Sequence, residues 1–447
     1  MTTATSSPVR AAPAPDTVHR PRTAPAGAEA APTEPGAGAA EPGPLIGGTA
    51  AASRPAHLHD VDLVRLLTFV AVIGVHTTGG TNPFQSVGGN AALMLLHFTR
   101  EAFFFLTTFV LFHTHYGRPL ALGRFWRRRF LLVGVPYVVW TVAYASPVLL
   151  RQLADGQISA SARTLGYDLI TGDAWYHMYF LLVTLQVYLL YPLLARLVRR
   201  TAGYHWQLLA GSALLQIATL AEVHYGRPWP GVAGILEQHC HELFAMYQFW
   251  LVAGALAAVH GDRFRDRMSR HIVLTMLSAA LAAGAAELWY TIARHHGQAP
   301  FDAASVFQPI MVPWGITSIM ALFALGAIWE RKRRPGRLDS LMRRGSELSF
   351  GIYLVHPAIL PGVLVLLPRT LPPPWSTMSA MSATLFLSAA VVALCRPTPL
   401  SLAVSGRPRR RPRRTDAKTD AKRPSVPAPT ASRRPRSLAP AIRSSDQ

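Results

Sequence analysis

This chain has little acid and almost no cysteine. Two cysteines, Cys240 and Cys395, give no disulfide framework and no paired-cysteine metal site. Charged residues make up only 15% of the chain against 50% hydrophobic ones, which excludes an ordinary soluble domain. Carboxylates number 23 against 44 Lys and Arg, leaving a formal charge of +21. No inverted internal repeat of the transporter kind is evident. The start carries no short apolar signal-peptide core, so the first membrane helix is expected to be retained.

What the chain has instead is long apolar runs separated by loops. Ten stretches approach the roughly 20 residues that a membrane helix needs. They begin near Val61, Ala91, Phe130, Trp175, Trp206, His241, His271, Ile310, Ser346 and Ser376. The positive charge falls on alternate loops: Arg118–Arg129, Arg196–Arg200, Arg263–Arg270, Arg331–Arg344, and the tail from Arg407. The intervening loops hold little Lys or Arg, so the excess is topological and not a nucleic-acid footprint. The positive-inside rule then puts both termini in the cytoplasm, as an even number of spans requires. The expected fold is an all-α, polytopic membrane bundle of about ten helices in the plasma membrane, with lipids as neighbours. Cys240 and Cys395 fall on opposite sides.

Residues 1–56 are Ala-, Pro- and Gly-rich with almost no large apolar groups, and are expected to be disordered. Residues 57–396 form the bundle. Residues 397–447 are expected to be a disordered basic tail, drawn to anionic lipid heads or simply solvated. Chemistry is therefore expected within the bundle or at its rims.

The first span carries Arg65 and His76. Ionisable groups at this depth are costly and point to function. Eleven steps of about 100° return the helix to within roughly 20° of its starting direction, so both side chains share a face, about 16 Å apart along the axis. Glu101, in the second span, points about 100° away from its neighbour Arg100 and is expected to pair across helices, with Arg65 as a candidate. Arg124, Arg127, Arg128 and Arg129 anchor the topology and also suit phosphate, which guanidinium forks bind bidentately. Trp175, Tyr176 and Tyr179 fit an interfacial aromatic belt. His177 beside them either belongs to that belt or lines a cavity. Gln186 sits in mid-span and needs a partner. Tyr353 and His356, three apart, share a helix face. Glu222, His239, His241 and Glu242 cluster near the outer rim without an assigned role, and no metal is expected.

Several of these segments together resemble one family. Asp62-x-x-Arg65-x10-His76 resembles the first-helix signature of the membrane acyltransferase-3 family. Phe103–Phe109 is similar to its Phe-Phe-x-x-(Ser/Thr)-Gly-Phe block, with Thr108 standing where the family usually has glycine. The run from Arg124 to Pro136-Tyr137 resembles its cytoplasmic arginine motif, with the basic positions shifted. His177-Met-Tyr-Phe-Leu resembles the corresponding segment of the intercellular-adhesin-like branch, and Tyr353-Leu-x-His356 resembles the family's late Tyr-Leu-x-His. The match runs from Asp60 to His356 in order, as in stand-alone members.

The resemblance implies transfer of an acyl group, acetyl being the commonest, from cytoplasmic acyl-coenzyme A to a hydroxyl of a glycan, lipid-linked sugar or small metabolite. Arg124, Arg127, Arg128, Arg129 and Arg65 would hold the donor's phosphates. His76 would be the base, or carry the acyl group covalently. Tyr353, His356 or Glu101 would orient His76 or stabilise the oxyanion. His177 would lie near the acceptor. The rival class is a transporter or flippase of a polysaccharide or lipid-linked precursor, whose substrate path the same charges would line.

Overall fold

The structure is a computed structural model, and it describes residues 58–368 and 370–409. The expectations for residues 1–56 and for the tail beyond 409 fall outside these residues. The described chain is helical, without strands. Its helices are α1 His59–Thr81, α2 Val87–Leu96, α3 Phe98–His115, α4 Leu122–Arg129, α5 Val135–Ala154, α6 Ile158–Thr171, α7 Tyr179–Arg200, α8 His205–Tyr225 and α9 Gly231–Gln238. There follow α10 Gln248–Val259, α11 Gly261–Arg270, α12 Ile272–His295, α13 Pro300–Ala303, α14 Met311–Lys332, α15 Arg337–Leu366, α16 Trp375–Cys395 and α17 Ser401–Ser405.

Among the described residues, nine helical stretches are long and apolar enough to cross a membrane. The tenth expected span is the segment Phe244–Val259 followed by Gly261–Arg270, bent by 94°. The bend separates an apolar segment from a strongly basic one, and α11 still packs on α14 through Met268 and Phe264. The second span is α2 and α3 together, and the third joins α4 to α5 through a π-helical turn, Phe130–Gly134. The fourth starts later than expected: Trp175, Tyr176 and His177 lie in a turn ahead of α7.

α1 is central and packs against α2, α3, α14, α15 and α16. Two of its buried threonines do not need water. Thr68 Oγ donates to Val64 O (2.8 Å) and Thr77 Oγ to Ile73 O (2.9 Å), satisfying each hydroxyl within its own helix. At its N-terminus the Asp60 carboxylate accepts from Val61 N–H (2.9 Å), where a negative charge suits the helix dipole. α8, α12 and α16 instead expose Leu214, Leu215, Leu274, Leu281 and Phe386, apolar faces that suit lipid.

α3 and α10 cross closely. A Cβ on Gly254 of α10 would run into the Phe105 carbonyl and the Thr108 hydroxyl. Thr108 is fully buried at this crossing. The glycine missing from α3 is thus supplied by its partner helix.

Past 396 the chain does not leave the bundle at once. α17 packs on α5 and α15. Arg396 Nη1 donates to Ser401 Oγ (3.1 Å), and Ser401 Oγ donates to Arg407 O (2.9 Å). Gly406 has φ +61°, and a Cβ there would meet the Leu132 carbonyl and the Phe350 ring. Residues 397–409 form a strap, where a disordered basic tail was expected from 397.

Candidate active site

The shared face of Arg65 and His76 is real, and α15 is what it meets. Arg65 Nη1 donates to Ser346 Oγ (3.3 Å), and Ser346 Oγ donates to Asp62 Oδ1 (2.7 Å). Eleven residues along α1, the His76 ring lies 5.3 Å from that of His356, centre to centre, ten residues along α15 from Ser346. The two helices run side by side, with hydrogen bonds through Ser346 at one level and a ring contact at the other.

His356 owes its geometry to the next residue. Pro357 lacks an N–H, so the Tyr353 carbonyl loses its normal partner four residues on. His356 Nδ1–H donates to that carbonyl instead (2.7 Å). A neutral imidazole so held carries its lone pair on Nε2. That Nε2 is buried and has no hydrogen-bond partner among the described residues, as is true of both nitrogens of His177. The His177 ring lies 5.7 Å from His356 and 5.2 Å from Tyr353. Tyr353 Oη donates to His177 O (2.7 Å), which ties the turn before α7 to α15. Tyr144 stacks on Trp175 and donates to Leu354 O (2.7 Å), bracing the same turn. His76, His177, Tyr353 and His356 thus form one cluster. Tyr176, read from sequence as a belt residue, lies against His76 with ring centres 4.3 Å apart. Its adjacency to His177 was the available signal.

A cavity of about 310 Å³ opens from the basic end of this arrangement. Arg65, Arg129 and Arg407 line it, with Ser346, Ser349 and Tyr188. Tyr353 lies at its inner end, against the histidine cluster. α3 faces it with Phe103, Leu106, Thr107 and Val110, an i, i+3, i+4, i+7 stripe. Of the four expected arginines, only Arg129 enters this lining; Arg124, Arg127 and Arg128 are exposed. The π-helical turn follows directly on Arg129 and brings Leu132 and Val133 to the wall. Arg129 stacks over Tyr188 (5.2 Å) and bonds His115 Nε2 (3.2 Å). Arg407 escaped the sequence reading because its neighbours read as a tail. Burial pushes its guanidinium pKa down, Glu347 and Asp62 act the other way, and Arg396 and Arg65 repel it. Three guanidinium groups around one cavity suit a polyanion.

Glu101 departs from expectation. It pairs with its neighbour Arg100, which donates to Oε1 from both Nε (3.2 Å) and Nη2 (3.0 Å), and not with Arg65. The long Arg100 side chain wraps around the helix and is held against Tyr247 and Phe307. Glu101 is buried, so a nearby cation outweighs the angular offset. Gln186 finds the loop after α9: its Nε2 donates to Glu242 O (2.7 Å), and its Oε1 accepts from Phe244 N–H (3.0 Å).

Among the described residues, one group, Asp173, His239 and Glu242, gathers ligand atoms suited to a metal, all within 4.8 Å of one another. Each of the three has a protein partner. His239 Nδ1 bonds Glu242 Oε1 (2.7 Å), and Asp173 Oδ2 accepts from Tyr167 Oη (3.0 Å). Both cysteines are free.

A family model described as an acyltransferase domain, that of the acyltransferase-3 family, matches residues 58–393. The chain belongs to this family. It is a multi-pass membrane acyltransferase, and its strap with Arg407 lies just past the matched region. No curated protein and no solved structure matches it significantly.

Proposed function

We propose that this acyltransferase moves an acyl group, acetyl in the simplest case, from cytoplasmic acyl-coenzyme A to a hydroxyl of an acceptor arriving from the opposite face of the plasma membrane. The acceptor class is a glycan, a lipid-linked sugar or a small metabolite. The observation that carries this reading is the paired contact of α1 with α15: an arginine cavity at Arg65–Ser346 and an imidazole cluster at His76–His356, on one line. A donor with phosphates at one end and a thioester at the other has that polarity.

Arg65, Arg129 and Arg407 hold the phosphates, and the slender arm of the donor passes Tyr353. The acceptor oxygen attacks the thioester carbon, the C–S bond breaks, and the acceptor proton passes to His76. The proton then reaches the departing sulfur, which leaves as the thiol. His356, fixed in one tautomer by the Tyr353 carbonyl, presents an acceptor nitrogen beside His76 and supports its charge as the proton arrives. His177 lines the acceptor side of the cluster.

The test uses purified protein in nanodiscs with acetyl-labelled coenzyme A and a panel of hydroxyl acceptors. Label on an acceptor supports the reading. Unmodified acceptor crossing the membrane of a proteoliposome, with the label still on coenzyme A, would replace it with transport.

A further inference from the structure

A second, larger cavity of about 1080 Å³ lies on the other side of α3. Phe105 faces it, while Phe103, Leu106, Thr107 and Val110 face the arginine cavity, so one helix separates the two. Its walls are apolar: Leu209 of α8, Phe249 and Trp250 of α10, and Ile316 and Met320 of α14. Its rim is α11, which turns 94° from the apolar segment before it. Trp206 at the mouth is 76% exposed, as befits an aromatic at a membrane interface.

The arginines of α11 are not equivalent. Arg265 is engaged by Asp262 (3.0 Å) and Asp60 (4.0 Å), and Arg270 by Asp266 (3.8 Å). Arg263 and Arg267 line the cavity, are exposed, and have no carboxylate within ion-pair distance among the described residues. At the same rim His205 Nδ1 and His260 Nε2 bond each other (2.9 Å). Apolar walls of this extent beneath a rim with two unmatched guanidinium groups complement an amphiphile with a phosphate head. Basic pockets between membrane helices recognise anionic lipids in this way.

We propose that this cavity is a binding site for an anionic membrane phospholipid, its phosphate against Arg263 and Arg267 and its acyl chains along α8, α10 and α14. The site is separate from the acyl-donor cavity, and its occupancy stands independently of the acyl chemistry. It borders α3, so the lipid buttresses the helix that walls the donor cavity.

The experiment uses the full chain purified in neutral detergent, exchanged into mixed micelles containing either phosphatidylglycerol or phosphatidylcholine, and read by native mass spectrometry for retained lipid. Phosphatidylglycerol should be retained roughly thirtyfold better, the scale of two arginine contacts. The double variant R263Q/R267Q, altered only at exposed positions, should retain the two lipids alike. Ala253 of α10 also lines the apolar wall, so A253W, which fills it, should lower retention of both lipids, with helicity checked by circular dichroism. Equal retention of the two lipids by the unaltered protein would overturn the proposal, as would undiminished phosphatidylglycerol retention in R263Q/R267Q. Displacement of the lipid by inorganic phosphate would also overturn it, by assigning the arginines to a soluble anion.

Discussion

His76 and His356 face each other across the α1–α15 contact with ring centres 5.3 Å apart, and the Tyr353 carbonyl holds only one of the two rings in place. The division suits a reacting imidazole beside a fixed one. His76→Ala should lower transfer by roughly 10²–10⁴, the usual contribution of a general base. His356→Ala should also lower it, and the double variant should lose little more than His76→Ala, since groups acting as a unit are not additive. Turnover with labelled acetyl-coenzyme A checks this, alongside a melting curve showing that the bundle persists.

The Ser346 hydroxyl is shared between Arg65 and Asp62. Ser346→Ala leaves the guanidinium less well aimed, and KM for the acyl donor should rise several-fold while kcat changes less. Ser346→Thr, which keeps the oxygen, should restore most of the loss. Arg65→Lys keeps the charge but loses the fork, and should fail in the same assay.

The three cavity arginines should separate cleanly from their exposed neighbours. Arg129→Ala and Arg407→Ala should each raise donor KM by about tenfold, the order of one charge-assisted contact. Arg124→Ala should leave it nearly unchanged. Ending the chain after residue 397 should reproduce the Arg407→Ala phenotype. An effect at Arg129 as small as that at Arg124 would return the run to a topological role alone.

His239 and Glu242, in the loop after α9 and ahead of the candidate span from Phe244, carry a pH dependence. The hydrogen bond to Glu242 raises the pKa of His239 above its usual 6.5, and burial raises that of Glu242 above 4.5. Both groups hold protons more tightly in the folded loop, so both favour it at lower pH. The His239 contribution is complete below 6.5 and is lost as pH rises through the raised folded value. Asp173 adds to both shifts, while burial lowers the pKa of neighbouring His241. Amides around Leu243–Tyr247 should exchange more slowly at about pH 5.5 than at about pH 8.5 after correction for intrinsic rates. His239→Asn should flatten most of that difference.

Much of this architecture was legible because the bilayer punishes irregularity. Ten apolar stretches and alternating basic loops translate into helices almost without tertiary information, and the eleven-residue spacing from Arg65 to His76 already put both on one face. The sixth span resisted because its apolar and basic parts are contiguous, and nothing local announces a 94° bend at His260–Gly261. Glu101 resisted because helix angles describe where a Cβ points, not where a long guanidinium can reach. Within the arginine run, the inward member depends on the π-helical turn after Arg129, which no simple period encodes. Arg407 reaches the cavity through a strap whose composition is that of a solvated tail.

The crossing of α3 and α10 carries its steric permission on one side only. Thr108 fills its place, and Gly254 opposite has none to spare. Mutational tolerance there will be lopsided: restoring glycine at 108 would open a void without bringing the rods nearer, whereas any added carbon at 254 would pry them apart. A consensus-based redesign that looks only at α3 would edit the wrong helix.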